Sequence, residues 1–318
     1  MKSKNNIFHA KILLFGEYTI IFNSRALTIP FTYFNGHFNF IDYKKYTRVD
    51  EAVKSNQQLR SYLTHIKDEK KFKGIVNIDI SQFEKDIEQG LYFESNIPQC
   101  YGVGSSGALV AAIYHRYGLS PEKGEINDSI QMLKKIFSLL ESYFHGTSSG
   151  MDPLNCYISE PLLVHNEQFI EKVEVPHKHS NMDGAVFLLN SGYPGNTEPL
   201  VAKFLQKTTN SSYKDQLFKE IIPLNNTCIN QLVQGDIRAF FQNLKTLSKL
   251  QLNNFREMIP EKFLPIWREG LQDDHYYLKL CGSGGGGFIL GFTTDYKQAS
   301  DIMKKKGFEI IPVFKNVK

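Results

Sequence analysis

The sequence predicts an α+β protein of two domains, and three observations point there. Short β-branched and aromatic runs crowd residues 10–41 and return between 276 and 313. Long segments with apolar residues at three- and four-residue spacing lie between them. Three glycine-rich segments interrupt these elements. At 318 residues, 42 % hydrophobic and 22 % charged, the chain has the composition of a folded globular protein with a sizeable core. Its 37 basic and 33 acidic residues leave a net charge of only +4, and the basic residues are scattered, which argues against a nucleic-acid partner. The one tight basic run, Lys304-Lys305-Lys306, ends a helix before Gly307, where positive charge complements the helix dipole.

In chain order, Lys11–Phe15 and Tyr18–Phe22 read as strands around Gly16. Residues 31–41 alternate aromatic and polar side chains about Asn35-Gly36, a hairpin signal. Residues 48–70 read as a helix, and Gly74–Ile80 as a strand. The Gly/Ser/Pro-rich loop 96–107 opens a helix, Ala108–Tyr117, closed by Gly118. Residues 126–144 form an amphipathic helix with Ile126, Ile130, Leu133, Phe137, Leu140 and Phe144 on one face, and it runs into a second Gly/Ser loop, His145–Asp152. Strands follow at Leu162–His165, Phe169–Val175 and Ala185–Leu189, then a helical stretch over 197–272. Tyr276–Leu280, Gly282–Gly287 and Phe288–Phe292 read as strand, glycine turn and strand, followed by a helix, Tyr296–Lys306, and a last strand, Phe308–Val313. Pro176 and Gly184 bracket a charged stretch that divides the chain into domains at 1–180 and 181–318.

Cys100, Cys156, Cys228 and Cys281 show no ligand spacing, which predicts reduced thiols, no zinc and a cytoplasmic setting. The apolar run after the basic N-terminus is broken by Lys11, Gly16 and Glu17, so neither a signal peptide nor a membrane partner is expected.

The glycine-rich segments carry the chemistry. Gly102-Val103-Gly104-Ser105-Ser106-Gly107 opens a helix, and glycines there let backbone N–H groups approach a phosphate. It is literally GxGxxG, but the stretch before it is a poor strand, so a dinucleotide fold is disfavoured. Gly146-Thr147-Ser148-Ser149-Gly150 contains GxSxG with Ser148 as would-be nucleophile; a helix leads into it where a nucleophile elbow needs a strand. What remains there is Asp152 at the loop's end and Glu141 one turn before His145. The third segment, Gly282–Gly287, marks close approach to the backbone by something else, against the alternative of a mobile hairpin. GxxxxGK[ST] is absent, as is the protein-kinase motif set.

Four motifs, Lys11–Glu17 (KILLFGE), Gly102–Ala108 (GVGSSGA), Glu141–Asp152 (ESYFHGTSSGMD) and Lys279–Gly287 (KLCGSGGGG), come in an order that resembles the GHMP superfamily of kinases over nearly the whole chain. Within it the likeness is greatest to the mevalonate kinases, while Gly16-Glu17-Tyr18 and Ser105-Ser106-Gly107 are similar to segments of phosphomevalonate kinases. The resemblance implies an N-terminal α/β domain holding the phosphate loop and a ferredoxin-like C-terminal domain. It implies ATP and Mg²⁺ as cofactors, a small-molecule alcohol as substrate, and room for a homodimer. By position, Gly102, Gly104, Ser105, Ser106 and Gly107 would hold the triphosphate, with Gly284 and Gly285 closing on it. Ser106 and Glu141 would ligate Mg²⁺, Asp152 would be the catalytic carboxylate and Lys11 its partner. Glu17, Tyr18, His145 and Thr197 would lie on the acceptor side.

Overall fold

The structure, a computed structural model, describes residues 6–42, 49–68, 72, 74–119, 130–175 and 184–315. The first half contains β1 (Phe8–Phe15), β2 (Ala26–Phe40), α1 (Val49–Asp68), α2 (Ile80–Glu88), β3 (Leu91–Ser95), α3 (Ser105–Tyr117), α4 (Ile130–His145) and α5 (Met151–Ile158). Three strands follow, β4 (Leu162–Asn166), β5 (Phe169–Lys172) and β6 (Ala185–Asn190). The helices α6 (Thr197–Lys207), α7 (Ser211–Gln216), α8 (Ile222–Gln234), α9 (Ile237–Asn254) and α10 (Leu264–Asp273) come next. The chain then forms β7 (Tyr277–Leu280), β8 (Phe288–Thr293), α11 (Tyr296–Lys305) and β9 (Ile310–Lys315).

Packing separates the chain into two compact units, neither contiguous in sequence. One comprises the chain up to Lys11, Pro30–Pro98 and Gly104–Glu160; the other comprises Ile12–Ile29, Gln99–Val103 and the chain from Pro161. Strands β1 and β2 each contribute residues to both units. The domain boundary expected at 180/181 lies in 176–183, outside the described residues.

In the first unit, β3 pairs antiparallel with the end of β2, from Gly36 opposite Ser95 to Phe40 opposite Leu91. Helix α3 is buried over most of its middle, from Gly107 to Tyr114, and its Ala108, Val110, Ala111 and Ala112 let neighbouring helices approach closely. Tyr62 of α1 donates its hydroxyl to the Leu140 carbonyl of α4 at 2.9 Å. The buried Asp86 carboxylate on α2 accepts from Arg116, from the Tyr117 hydroxyl and from Gln82, so its charge is compensated inside the core.

The second unit is built on an antiparallel sheet in the order β7-β8-β6-β9. Strand β6, the helices α6 to α10, β7, β8, α11 and β9 follow the βαββαβ order of a ferredoxin-like domain. Every residue of β8 is buried, as expected of a central strand covered on both faces. Trp267 of α10 is fully buried, and its indole N–H meets the Ser248 hydroxyl of α9 at 2.8 Å. In the same unit the first residues of β2 pair with β4, and β4 with β5.

Three local expectations are corrected. Asn35-Gly36 does not turn a hairpin; β2 runs straight through it, and Gly36 is needed because the Phe93 ring occupies the place of a side chain. Thr19–Phe22 is a 3₁₀ turn and not a strand, since Gly16 (φ 111°) and Tyr18 (φ 63°) wind the chain out of extended geometry. Residues 74–80 hold only an isolated bridge, Ile78 to Gly118, and the chain enters α2 at Ile80, capped by Asp79 accepting from the Gln82 N–H. The amphipathic helix expected over 126–144 is seen as α4, with 126–129 outside the described residues.

Candidate active site

The first unit holds eight of the expected site residues, Lys11, Gly104, Ser105, Ser106, Gly107, Glu141, His145 and Asp152. Lys11, 5 % exposed near the middle of β1, places its ammonium 2.9 Å from the Asp152 carboxylate. Asp152 stands in the first turn of α5, where the helix N-terminus also favours negative charge. Helix α3 starts at Ser105 with Gly104 as its N-cap at φ 78°, a backbone state that suits glycine. A side chain at Gly104 would meet the Lys11 stem, and one at Gly107 would meet the backbone of Asp152 and Pro153 at 2.8 Å. The glycines of this motif therefore keep Lys11 and Asp152 beside the loop, besides baring its backbone.

Glu141 lies on α4 and is only 4 % exposed. The Ser106 hydroxyl donates to one of its oxygens at 2.9 Å, and the Ser148 hydroxyl donates to the other. Burial, and then the nearby Asp152 charge, push its carboxyl up from 4.5 to about 7, against the pull of both serines and Lys11. His145, expected on the acceptor side, has its Nε2 3.1 Å from the Ser106 hydroxyl. Ser148 is the would-be nucleophile of the GxSxG match that the preceding helix already disfavoured. Helices flank its loop on both sides, and its hydroxyl is spent on Glu141.

The second unit gathers the other group. The Glu17 carboxylate, 3 % exposed, pairs at 2.5 Å with Lys279, which is fully buried. The same ammonium donates to the Leu280 carbonyl at 2.9 Å and lies 5.1 Å from the centre of the Phe15 ring. Glu17, expected at the acceptor, thus has its charge satisfied inside the protein. Tyr18, 5 % exposed, packs its ring against Phe204 and Phe255 and donates its hydroxyl to the Ser283 carbonyl at 2.5 Å. Burial raises the Tyr18 phenol far above its ordinary range. Thr197, the first residue of α6, meets the Ser283 hydroxyl at 2.8 Å.

Gly102 belongs to this unit, apart from Gly104–Gly107. The run Gly282–Gly287 is no loose hairpin. The Gly285 N–H donates to Met258 at 2.6 Å and the Gly287 N–H to Tyr193 at 2.8 Å. Side chains at Gly284, Gly286 or Gly287 would strike the carbonyls of Met258, Pro194 or Tyr101. Backbone packing thus accounts for these glycines, including Gly284, whereas a side chain at Gly285 would meet Leu200. Neither Ser283 nor Lys279 was singled out from the sequence. Among the described residues, no helix is long and apolar enough to cross a membrane.

No protein-family profile and no curated protein sequence matches this chain. Solved structures do. The chain superposes on Leishmania major mevalonate kinase in complex with R-mevalonate with a TM-score of 0.63 at 15 % identity, covering 100 % of this chain and 98 % of that one. Methanococcus jannaschii mevalonate kinase gives 0.60 at 16 %, with 98 % of each chain covered. Streptococcus pneumoniae phosphomevalonate kinase gives 0.61 at 14 %, covering 96 % of this chain and 97 % of that one. At these identities the likeness is one of fold, and the fold is that of the GHMP kinases.

Proposed function

We propose that the protein is an ATP-dependent small-molecule kinase that phosphorylates the hydroxyl of mevalonate in the cytoplasm. The observation that carries this reading is the Lys11–Asp152 pair at 2.9 Å in the same unit as the Ser106–Glu141 pair at 2.9 Å. Phosphoryl transfer requires positioning and charge neutralisation more than covalent chemistry, and these four side chains are suited to both. Asp152 accepts the proton of the attacking hydroxyl. Lys11, 2.9 Å from that carboxylate, holds it in position and opposes the negative charge that develops in transfer. The N–H groups that open α3 offer the phosphates hydrogen bonds.

Ser106 and Glu141 present oxygen donors of the kind Mg²⁺ prefers, and Ser148 adds a third oxygen to Glu141. Mg²⁺ bound there would neutralise charge on the phosphates.

The choice of an unphosphorylated acceptor is supported by two arginines, Arg25 and Arg116, that are engaged elsewhere. Arg116 spends two nitrogens on Asp86, and Arg25 bonds Asn226 through its backbone and Asn230 through its guanidinium. A second reading, phosphomevalonate kinase, has Lys203 in its favour, exposed on α6 six residues after Thr197. ADP release with Mg²⁺ and ATP, measured against mevalonate, phosphomevalonate and homoserine, separates the two. Turnover with mevalonate is expected, and Asp152→Asn should lower kcat by ~10²–10⁴ with the fold intact. Turnover with phosphomevalonate alone, lost in Lys203→Ala, would establish the second reading; a fully active Asp152→Asn enzyme would remove the assigned carboxylate.

A further inference from the structure

The two oxygens of the Glu141 carboxylate are held by different serines, and the two serines are not held alike. Ser106, at the start of α3, donates to Oε1 at 2.9 Å, and Ser148, in the loop before α5, donates to Oε2. The Ser106 hydroxyl also lies 3.1 Å from Nε2 of the exposed His145, so it can exchange one partner for the other. Ser148 has no such freedom. Its oxygen accepts the Gly150 N–H at 3.0 Å, which leaves the hydroxyl proton directed at Glu141. Its backbone carbonyl accepts from the Ser138 hydroxyl at 2.5 Å. Ser138 and Glu141 lie three residues apart on α4, so the helix that carries the carboxylate also holds the residue that bonds it. Gly150 cannot shift to relax this arrangement, because a side chain there would strike the Lys134 carbonyl and lie 2.7 Å from the Ser138 nitrogen.

Ser148 thus occupies one carboxylate oxygen firmly, and the oxygen beside Ser106 is the one left for a cation. That division matters for which cation fits. Mg²⁺ demands a tight octahedron, into which the narrow bite of a two-oxygen carboxylate fits poorly; Ca²⁺ is larger, takes more oxygens and readily grips both oxygens of one carboxylate. Every residue of this arrangement lies within Gly104–Glu160 of the first unit.

We infer that Ser148 is a positioning residue that limits Glu141 to one-oxygen ligation and so sets the preference of this site for Mg²⁺ over Ca²⁺. The inference rests on the Mg²⁺ role given above to Ser106 and Glu141, and not on the identity of the acceptor. It is tested by cation binding to the full chain without nucleotide, with Mn²⁺ followed by electron paramagnetic resonance and displaced by Mg²⁺ or Ca²⁺. Ser148→Ala frees the second oxygen. Mg²⁺ should then bind ~10-fold or more weakly, the scale on which partners of a ligating carboxylate act, while Ca²⁺ binds at least as tightly as before. Ser148→Thr, which keeps the hydroxyl, should restore the parent's preference. A second measurement needs no variant. Infrared difference spectra of the Mg²⁺-loaded parent should show the wide separation of carboxylate stretching bands that marks one-oxygen ligation. Ca²⁺-loaded Ser148→Ala should show the narrow separation of a carboxylate gripping through both oxygens. A merely structural Ser148 would, on truncation, lower the melting temperature and weaken both cations by the same factor. That outcome, or two-oxygen bands in the Mg²⁺-loaded parent, would overturn the inference, and ADP release by the same parent would leave the kinase reading in place. A parent that neither binds a divalent cation nor releases ADP from ATP would overturn both.

Discussion

A buried carboxyl that is raised to about 7 makes Glu141 a liability to the unliganded fold. Its folded-state pKa lies above its unfolded value, so its stabilising protonation is fully present below about pH 4.5 and is lost as pH rises through about 7. Glu141→Gln keeps a partner for Ser106 and Ser148 and removes the charge. Without divalent cation, urea denaturation should find this variant more stable than the parent at pH 8, by on the order of 2 kcal/mol, and not at pH 4. A parent that stays as stable as the variant from pH 4 to 8 would contradict the burial argument. The same substitution should abolish Mg²⁺-dependent turnover. At this scale the sequence was informative in an uneven way. That Lys11 meets Asp152 and Ser106 meets Glu141 was legible because each sits in a motif with its own spacing. Lys279 and Ser283 lie in the fourth motif, but their partners Glu17 and Thr197, more than 80 residues away in the chain, could not be read from it.

At the scale of elements, the contact of α3 with α5 is decided at Gly107. Replacing a helical glycine by alanine ordinarily stabilises by up to about 1 kcal/mol. Here the added methyl would lie 2.8 Å from the backbone of Asp152 and Pro153, so overpacking should win and Gly107→Ala should destabilise by ~1–3 kcal/mol. Because α5 carries Asp152, kcat should fall as well, whereas a contact remote from the site would change stability alone. Chemical denaturation and steady-state kinetics check both halves; a variant as stable as the parent would show that the helices have slack. Elements with strong periodicity, such as α4 and β6 to β9, were readable in the sequence. The hairpin at Asn35-Gly36 was misread because its signal was the dipeptide itself, and only the Phe93 ring explains why that glycine sits within a strand. Helix α2 was missed because it is short and its cap, Asp79, follows a run that reads equally well as a strand.

At the scale of the whole molecule, the Glu17–Lys279 pair joins residues 262 positions apart with both side chains excluded from water. Such a pair adds little net stability over apolar replacements, yet breaking it leaves one charge stranded. Lys279→Met alone should cost ~3–5 kcal/mol, and combining it with Glu17→Leu should recover much of that loss. Simple additivity of the two single changes in a denaturation cycle would refute the pairing. The same connectivity bears on how this architecture is inherited. A polypeptide cut after Glu160 would give a C-terminal piece without Ile12–Ile29, and therefore with a lysine ammonium in its interior and no counter-charge. Because β1 and β2 thread both units, neither can be exchanged as a cassette by a single recombination event. Change has to accumulate by substitution in place, with residues near the N-terminus constrained by a glycine turn close to the other end of the chain.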